Sequence, residues 1–271
     1  MASNLNLEEI KARRPARRGS DIPDIVRTAL AEGRIESKNL VEWLNVDRFR
    51  LINKIVGSLQ MPDLDARIAE AKALHGGLAA LKLSTILAAA LSPSIKLGDG
   101  LFQRLASHTS DVAREWAALV IGSKQDISFP KKLAWIKPFA DDSNAGVREI
   151  AWIALRADVI RDPIQAIKSL VPWTGSRSHM LRRYASEITR PRGVWAPHIP
   201  LLKADPTPGL ILLESLRADE SKYVRNSVAN WLNDAGKTHP EWVKNITQQW
   251  TEQSPVKETT TIVKRALRNL D

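Results

Sequence analysis

Apolar residues along this chain recur at helical spacing, and the alternation that a half-buried strand requires is nearly absent. Over 224–237, Val224, Val228, Trp231, Leu232 and Ala235 keep the rhythm that puts them on one helix face. Leu133 with Ile136, and Ile164 with Ile167 and Leu170, form shorter stripes of the same kind. Polar signals punctuate them. Pro23 opens a segment that Gly33 closes, Ser110 precedes an apolar run that Gly122 ends, and Pro130, Pro163 and Pro240 stand where a first helical turn would begin. No Asn-Gly or Asp-Gly turn lies between alternating β-branched runs. The pattern predicts an all-α chain of about fifteen short helices joined by short turns.

The pattern also repeats. Arg114-Glu-Trp-Ala-Ala-Leu, Arg148-Glu-Ile-Ala-Trp-Ile and Arg182-Arg-Tyr-Ala-Ser-Glu begin 34 residues apart. Arg225-Asn-Ser-Val-Ala-Asn and a helix around Lys264-Arg-Ala-Leu continue the series at spacings of roughly 40, within the range of HEAT-like repeats. Each repeat would be two antiparallel helices, neither able to bury its stripe alone, so that pairs stack into an α-α superhelix. The second, arginine-bearing helices would line one concave basic face, suited to nucleic acid or to a protein partner. The expected organisation is a flexible basic arm over residues 1–20, followed by a single HEAT-like repeat domain over 21–271.

Composition narrows the classes. Of 271 residues 44% are hydrophobic, enough for a continuous core. Forty Lys and Arg against thirty Asp and Glu leave a formal charge of +10, the balance of a chain that meets a polyanion. With no cysteine there is no disulfide framework, thiolate metal site or thiol nucleophile, which fits a reducing cytoplasm. The longest apolar-looking stretch, 78–91, is interrupted by Lys82 and falls short of the roughly 20 residues a membrane span needs. The basic start, Lys11-Ala-Arg-Arg-Pro-Ala-Arg-Arg18, leads into no apolar run of the kind a secretory signal requires. There is no phosphate-cradling glycine loop and no Gly-x-Ser-x-Gly elbow, and the five histidines lie apart. A cytoplasmic protein is expected.

Candidate chemistry lies on the second helices. Opposite the 224–237 stripe, Asn226, Asn230, Asn233, Asp234 and Lys237 share a face. A merely solvated face favours Glu, Lys and Gln, whereas short, directional Asn and Asp suit polar groups held close to a ligand; helix-end capping by Asn233 and Asp234 is the alternative. Arg183, Glu187 and Arg190 form a polar row, which an ordinary ion pair would also explain. Glu149, Trp152 and Arg156 share one helix edge, where the structural alternative is a core tryptophan beside a salt-bridged acid. The repeat would set these acids side by side, ringed by Arg148, Arg183, Arg190, Arg192, Arg225 and Lys237. The loop Arg190-Pro-Arg-Gly-Val-Trp195, which Pro191 keeps out of the helix, offers arginines to phosphates and Trp195 to a sugar or base.

Three segments carry a resemblance: Val147-Arg-Glu-Ile-Ala-Trp-Ile-Ala-Leu-Arg156, Arg182-Arg-Tyr-Ala-Ser-Glu-Ile-Thr-Arg-Pro-Arg-Gly-Val-Trp195 and Tyr223-Val-Arg-Asn-Ser-Val-Ala-Asn-Trp-Leu-Asn-Asp-Ala-Gly-Lys237. They resemble the signature segments of the AlkC branch of the AlkC/AlkD alkylpurine DNA glycosylases over roughly residues 100 to 250. The resemblance implies a HEAT-like fold that excises cationic N-alkylated purines, 3-methyladenine chiefly and 7-methylguanine as a further candidate, from double-stranded DNA in base excision repair. It implies that no metal or organic cofactor is used, and a monomer is expected. Glu149, Glu187 and Asp234 would be its acidic residues, with Trp152 and Trp195 as aromatic contacts and Asn230 beside them. Asp234 would orient the attacking water while Glu187 and Glu149 supply negative potential to an oxocarbenium-like sugar. Some AlkC-like proteins carry a C-terminal immunoglobulin-like domain, whereas residues 256–270 read here as a helix. Other relatives of this fold bind DNA without excising bases. A non-catalytic protein for damaged or branched DNA, and a HEAT-repeat scaffold for an acidic protein, therefore remain alternatives.

Overall fold

A computed structural model describes residues 7–75 and 78–270, and among these every regular element is helical. Local chemistry explains where helices start. Asn39, Asp47, Asp99 and Asp162 each accept a hydrogen bond from the backbone N–H three residues on, filling a donor that the first turn leaves open. Pro130, Pro163 and Pro240 fall in first turns, where the missing N–H costs nothing. The Asp24–Ala31 helix stops at Gly33, whose φ of 68° lets Arg34 N–H turn back to the Ala29 carbonyl at 2.9 Å.

The chain divides into two compact units, residues 1–124 with 142–150 and residues 125–141 with 151–271. This differs from the expected arm over 1–20 and one domain over 21–271. In the first unit, Leu51, Ile52, Leu87, Leu91, Leu105, Trp116 and Val120 form a fully enclosed core. Residues 7–20 of the expected flexible arm are built into it. Ile10 is buried, and Arg13 donates from Nε to Glu42 Oε1 (3.1 Å) and from Nη1 and Nη2 to the carbonyls of Ile10 and Glu36 (2.9 Å each). An apolar anchor and a shielded ion pair hold that segment, which the run of basic letters concealed.

In the second unit, His179–Ile188 packs against Pro163–Thr174 on one side and Lys222–Gly236 on another. Lys222–Gly236 packs in turn against Pro240–Gln253 and Lys257–Ala266. Leu170, Leu181, Ile188, Val224, Val228, Trp231, Leu232 and Ile262 fill the seams. Three second helices of the repeat thus lie in series, as stacking of pairs requires.

The repeated arginine has a structural reason. Arg114 Nη1 donates to the carbonyls of His108 and Thr109, and Arg148 Nη1 to those of Asp142 and Ser143. In the second unit Arg182 does the same to Ser176 and Arg177, and Arg225 to Asp219 and Glu220. Each guanidinium ties down the turn five and six residues ahead of it. Arg114 also grips the Asp142 carboxylate (2.8 and 3.1 Å), and Arg182 the Asp219 carboxylate (2.6 and 3.0 Å). The turn held by one repeat's arginine thereby supplies the acid to the arginine before it.

Candidate functional site

The His179–Ile188 and Lys222–Gly236 helices bring two acids together. Glu187 and Asp234 are 5% and 4% exposed, and Arg190, two residues past the end of its helix, spans them. Its Nη1 donates to Glu187 Oε1 at 2.7 Å and its Nε to Asp234 Oδ2 at 2.9 Å. The remaining oxygens are also engaged: Ser227 Oγ donates to Glu187 Oε2 (2.7 Å), and Lys237 Nζ to Asp234 Oδ1 (3.2 Å). Ser186 Oγ donates to Ser227 Oγ at 2.8 Å, completing a relay across the two helices.

Burial pushes the Glu187 carboxyl up, but the charges of Arg183 and Arg190 and hydrogen bonds from Ser227 and Arg190 outweigh it and hold it below the ordinary range. Burial likewise lowers Arg190, yet Glu187 and Asp234 leave it more firmly protonated than usual. Glu187 and Arg190 are therefore charged at neutral pH, enclosed from water. Such an enclosed cluster is a weak source of stability, because desolvation offsets much of the attraction, and perturbed groups of this kind gather at functional sites.

The loop after the first helix is fixed from beneath. Arg156, 2% exposed, donates from Nη1 to the Ile188 carbonyl (2.5 Å), from Nη2 to the Arg190 carbonyl (2.7 Å) and from Nε to the Pro197 carbonyl (3.0 Å). Burial first, then Arg190, lowers its pKa to about 10. Held this way, residues 190–197 carry Arg192, whose Nε donates to the Asp234 carbonyl (3.3 Å), and display Val194 and Trp195 at 70% and 62% exposure.

The sequence-based candidates divide accordingly. Glu187, Asp234, Arg190, Arg192 and Lys237 form one cluster. Arg183 flanks it, stacked 4.3 Å above the Tyr223 ring and 3.5 Å from Glu187 Oε2. Trp195 is exposed as an aromatic contact must be. Trp152 is not: at 2% exposure it lies in the core, where its ring offers no face to a sugar or base. Arg148 and Arg225, expected at phosphates, each hold a turn through Nη1 and are half-buried. Asn230 Oδ1 accepts from the Arg265 guanidinium at 3.4 Å, beside Asn226 Oδ1 at 3.1 Å, and Asn233 Nδ2 donates to the Ala266 carbonyl at 2.9 Å. The asparagine face is thus a seam with the Lys257–Ala266 helix. Arg148 and Glu149 belong to the first unit, both half-buried. Sequence reasoning missed Ser186 and Ser227, for which spacing gives no signal, and the anchoring role of Arg156. Among the described residues no cluster of three His, Cys, Asp or Glu side chains is shaped to hold a metal, and no helix is long and apolar enough to cross a membrane.

Comparison with solved structures agrees with this arrangement of helices. A Pseudomonas fluorescens alkylpurine DNA glycosylase, AlkC, bound to DNA containing an abasic site analog, superposes with a TM-score of 0.66 at 27% identity. The fold is that of the AlkC/AlkD helical repeat proteins. The match covers 83% of this chain and 62% of AlkC. AlkD2 and smu.31, both from Streptococcus mutans, share the fold at TM-scores of 0.58 and 0.57, each at 23% identity over 77% of this chain and 99% of theirs. Among curated sequences, the Uncharacterized protein YhaZ of Bacillus subtilis (strain 168) is 44% identical over 117 residues, 43% of this chain and 32% of YhaZ. No family model matches.

Proposed function

We propose that this protein is an alkylpurine DNA glycosylase, a hydrolase that excises cationic N-alkylated purines from duplex DNA, with Asp234 and Glu187 as its working acids. The observation that carries the reading is the pair of enclosed carboxylates bridged by Arg190 beneath a rigid loop that exposes Trp195. Likeness to a DNA-bound alkylpurine glycosylase supports it.

The chemistry follows from charge. Alkylation at N3 or N7 makes the purine a cation, so it departs neutral and needs no proton from the enzyme. The deoxyribose left behind becomes oxocarbenium-like, and a nearby carboxylate lowers the energy of that state most where water is excluded. Asp234 suits this best. Among the described residues its Oδ1 is held by Lys237, whose side chain is half exposed; drawn to a phosphate, that ammonium uncovers an oxygen able to orient water toward C1′. Glu187, fixed by Ser227 and Arg190, supplies standing negative potential. Arg192 and Arg183 offset the repulsion between these acids and the DNA backbone. Glu149 remains a third candidate acid.

Release of 3-methyladenine or 7-methylguanine from methylated duplex DNA tests the reading. Asp234→Asn keeps the shape and the contacts to Arg190 while removing the charge. It should lower single-turnover release by about 100-fold or more with DNA affinity retained. Wild-type protein that binds duplex DNA and liberates no alkylated base would make it a non-catalytic DNA-binding protein.

A further inference from the structure

The asparagine seam ends at a groove of about 610 Å³ on the Lys257–Ala266 helix, lined by Lys257, Thr260, Thr261, Lys264, Arg265 and Arg268. Several other cations of the second unit meet carboxylates: Lys132 with Asp158, Arg182 with Asp219, Arg190 with Glu187 and Asp234, Arg217 with Glu214. Among the described residues none of the four cations of this groove forms an ion pair. Lys257, Lys264 and Arg268 are exposed. Arg265 is half-buried and is gripped through the amide oxygens of Asn226 and Asn230. A carboxylate there would cancel the guanidinium's charge. Two neutral acceptors fix its direction and leave the charge whole.

We propose that this groove is a docking strip for the phosphate backbone of duplex DNA, separate from the acid cluster and adding grip without chemistry. This rests on the reading of the protein as a DNA-binding enzyme and assigns a surface to that binding. Lys257, Thr261, Lys264 and Arg268 follow helical spacing along one face. From Lys257 to Lys264 the helix rises about 10 Å, long enough to face more than one phosphate of a strand. Glu258, the helix's one acid, is half-buried and stays out of the groove. The strip favours no sequence, since phosphate contacts position a duplex and do not read it.

The test is the salt dependence of binding to an unmodified duplex, followed by fluorescence anisotropy. The triple variant Lys257→Ala/Lys264→Ala/Arg268→Ala should bind more than about tenfold more weakly and lower the slope of log K against log salt by about 0.9 per lost phosphate contact. Asn226→Asp, nearly isosteric, sets a carboxylate against Arg265 and should lower the slope by up to about 0.9. Both should keep the wild-type melting temperature and the release rate at saturating protein. Unchanged affinity and slope in both variants would overturn the strip and leave the glycosylase reading standing. Wild-type protein that fails to bind duplex DNA at low salt would overturn both. Binding that depends on the strip, with no base released by wild-type protein, would keep the strip and remove the enzyme.

Discussion

Arg190 is the residue on which the acid cluster turns. Removing it leaves Glu187 and Asp234 facing each other with Arg183, Ser227 and Lys237 as their near partners, and an under-compensated enclosed charge costs far more than a pair gains. Arg190→Ala should therefore lose about 3–5 kcal/mol of stability in urea unfolding. A loss below about 1 kcal/mol would mean that water reaches both acids freely. The glutamate, the aspartate and the arginine were each legible in the sequence, because an acid flanked by basic residues on one helix row is a recognisable pattern. Their convergence was not, since Glu187 and Asp234 stand 47 residues apart and only helix packing joins them. Trp152 shows the converse: the letters allow a contact or a core residue equally, and burial alone decides.

At the scale of elements, the seam between the Thr207–Gly209 turn and the Lys222–Gly236 helix leaves no room for a side chain. A Cβ at Gly209 would stand 2.3 Å from Trp231 Cζ2. That ring cannot retreat, because its Nε1 donates to the Thr189 carbonyl at 3.0 Å and it is fully buried. Gly209→Ala should destabilise by about 1–3 kcal/mol, the range of an overpacked core, read as a lower urea midpoint at unchanged slope. Because Thr189 begins the loop that carries Arg190, the same change should also slow base release. The arginine anchors belong to this scale too. Their 34-residue spacing was plain in the sequence and pointed to a repeat; their partners are carbonyls of the preceding turn, which no letter encodes.

At the scale of the whole molecule, pH acts through the first unit. Burial first, and then Asp111, raises the Glu115 carboxyl to about 8, against the pull of a hydrogen bond from Trp43 and the charges of Arg48 and Arg114. Burial also raises Asp111 to about 6, although the Ser37 N–H donates to it. Acids whose folded pKa lies above the unfolded one bind more protons when native, so the stability they support is complete below the unfolded value and declines as pH rises through the folded one. The melting temperature should fall between about pH 5 and pH 8, and Glu115→Gln, which keeps an acceptor for Trp43 Nε1 without a charge, should flatten that fall. A melting temperature that stays level across the same interval would show both acids ionised in the native state, since folded and unfolded chains would then bind the same protons.

The sequence by itself determined the helices, their caps, the repeat and its superfamily likeness, because apolar period, capping residues and first-turn prolines act over a few neighbours. It also fixed the excess of positive charge. Tertiary structure decided which charges are spent and which are free. Arg148, Arg156 and Arg225 hold carbonyls, Arg13 fastens the basic start to the first unit, and Arg265 keeps its charge between two asparagines. Arginine is one letter for all of these, and only the atoms packed around each guanidinium distinguish an anchor from a hand offered to DNA.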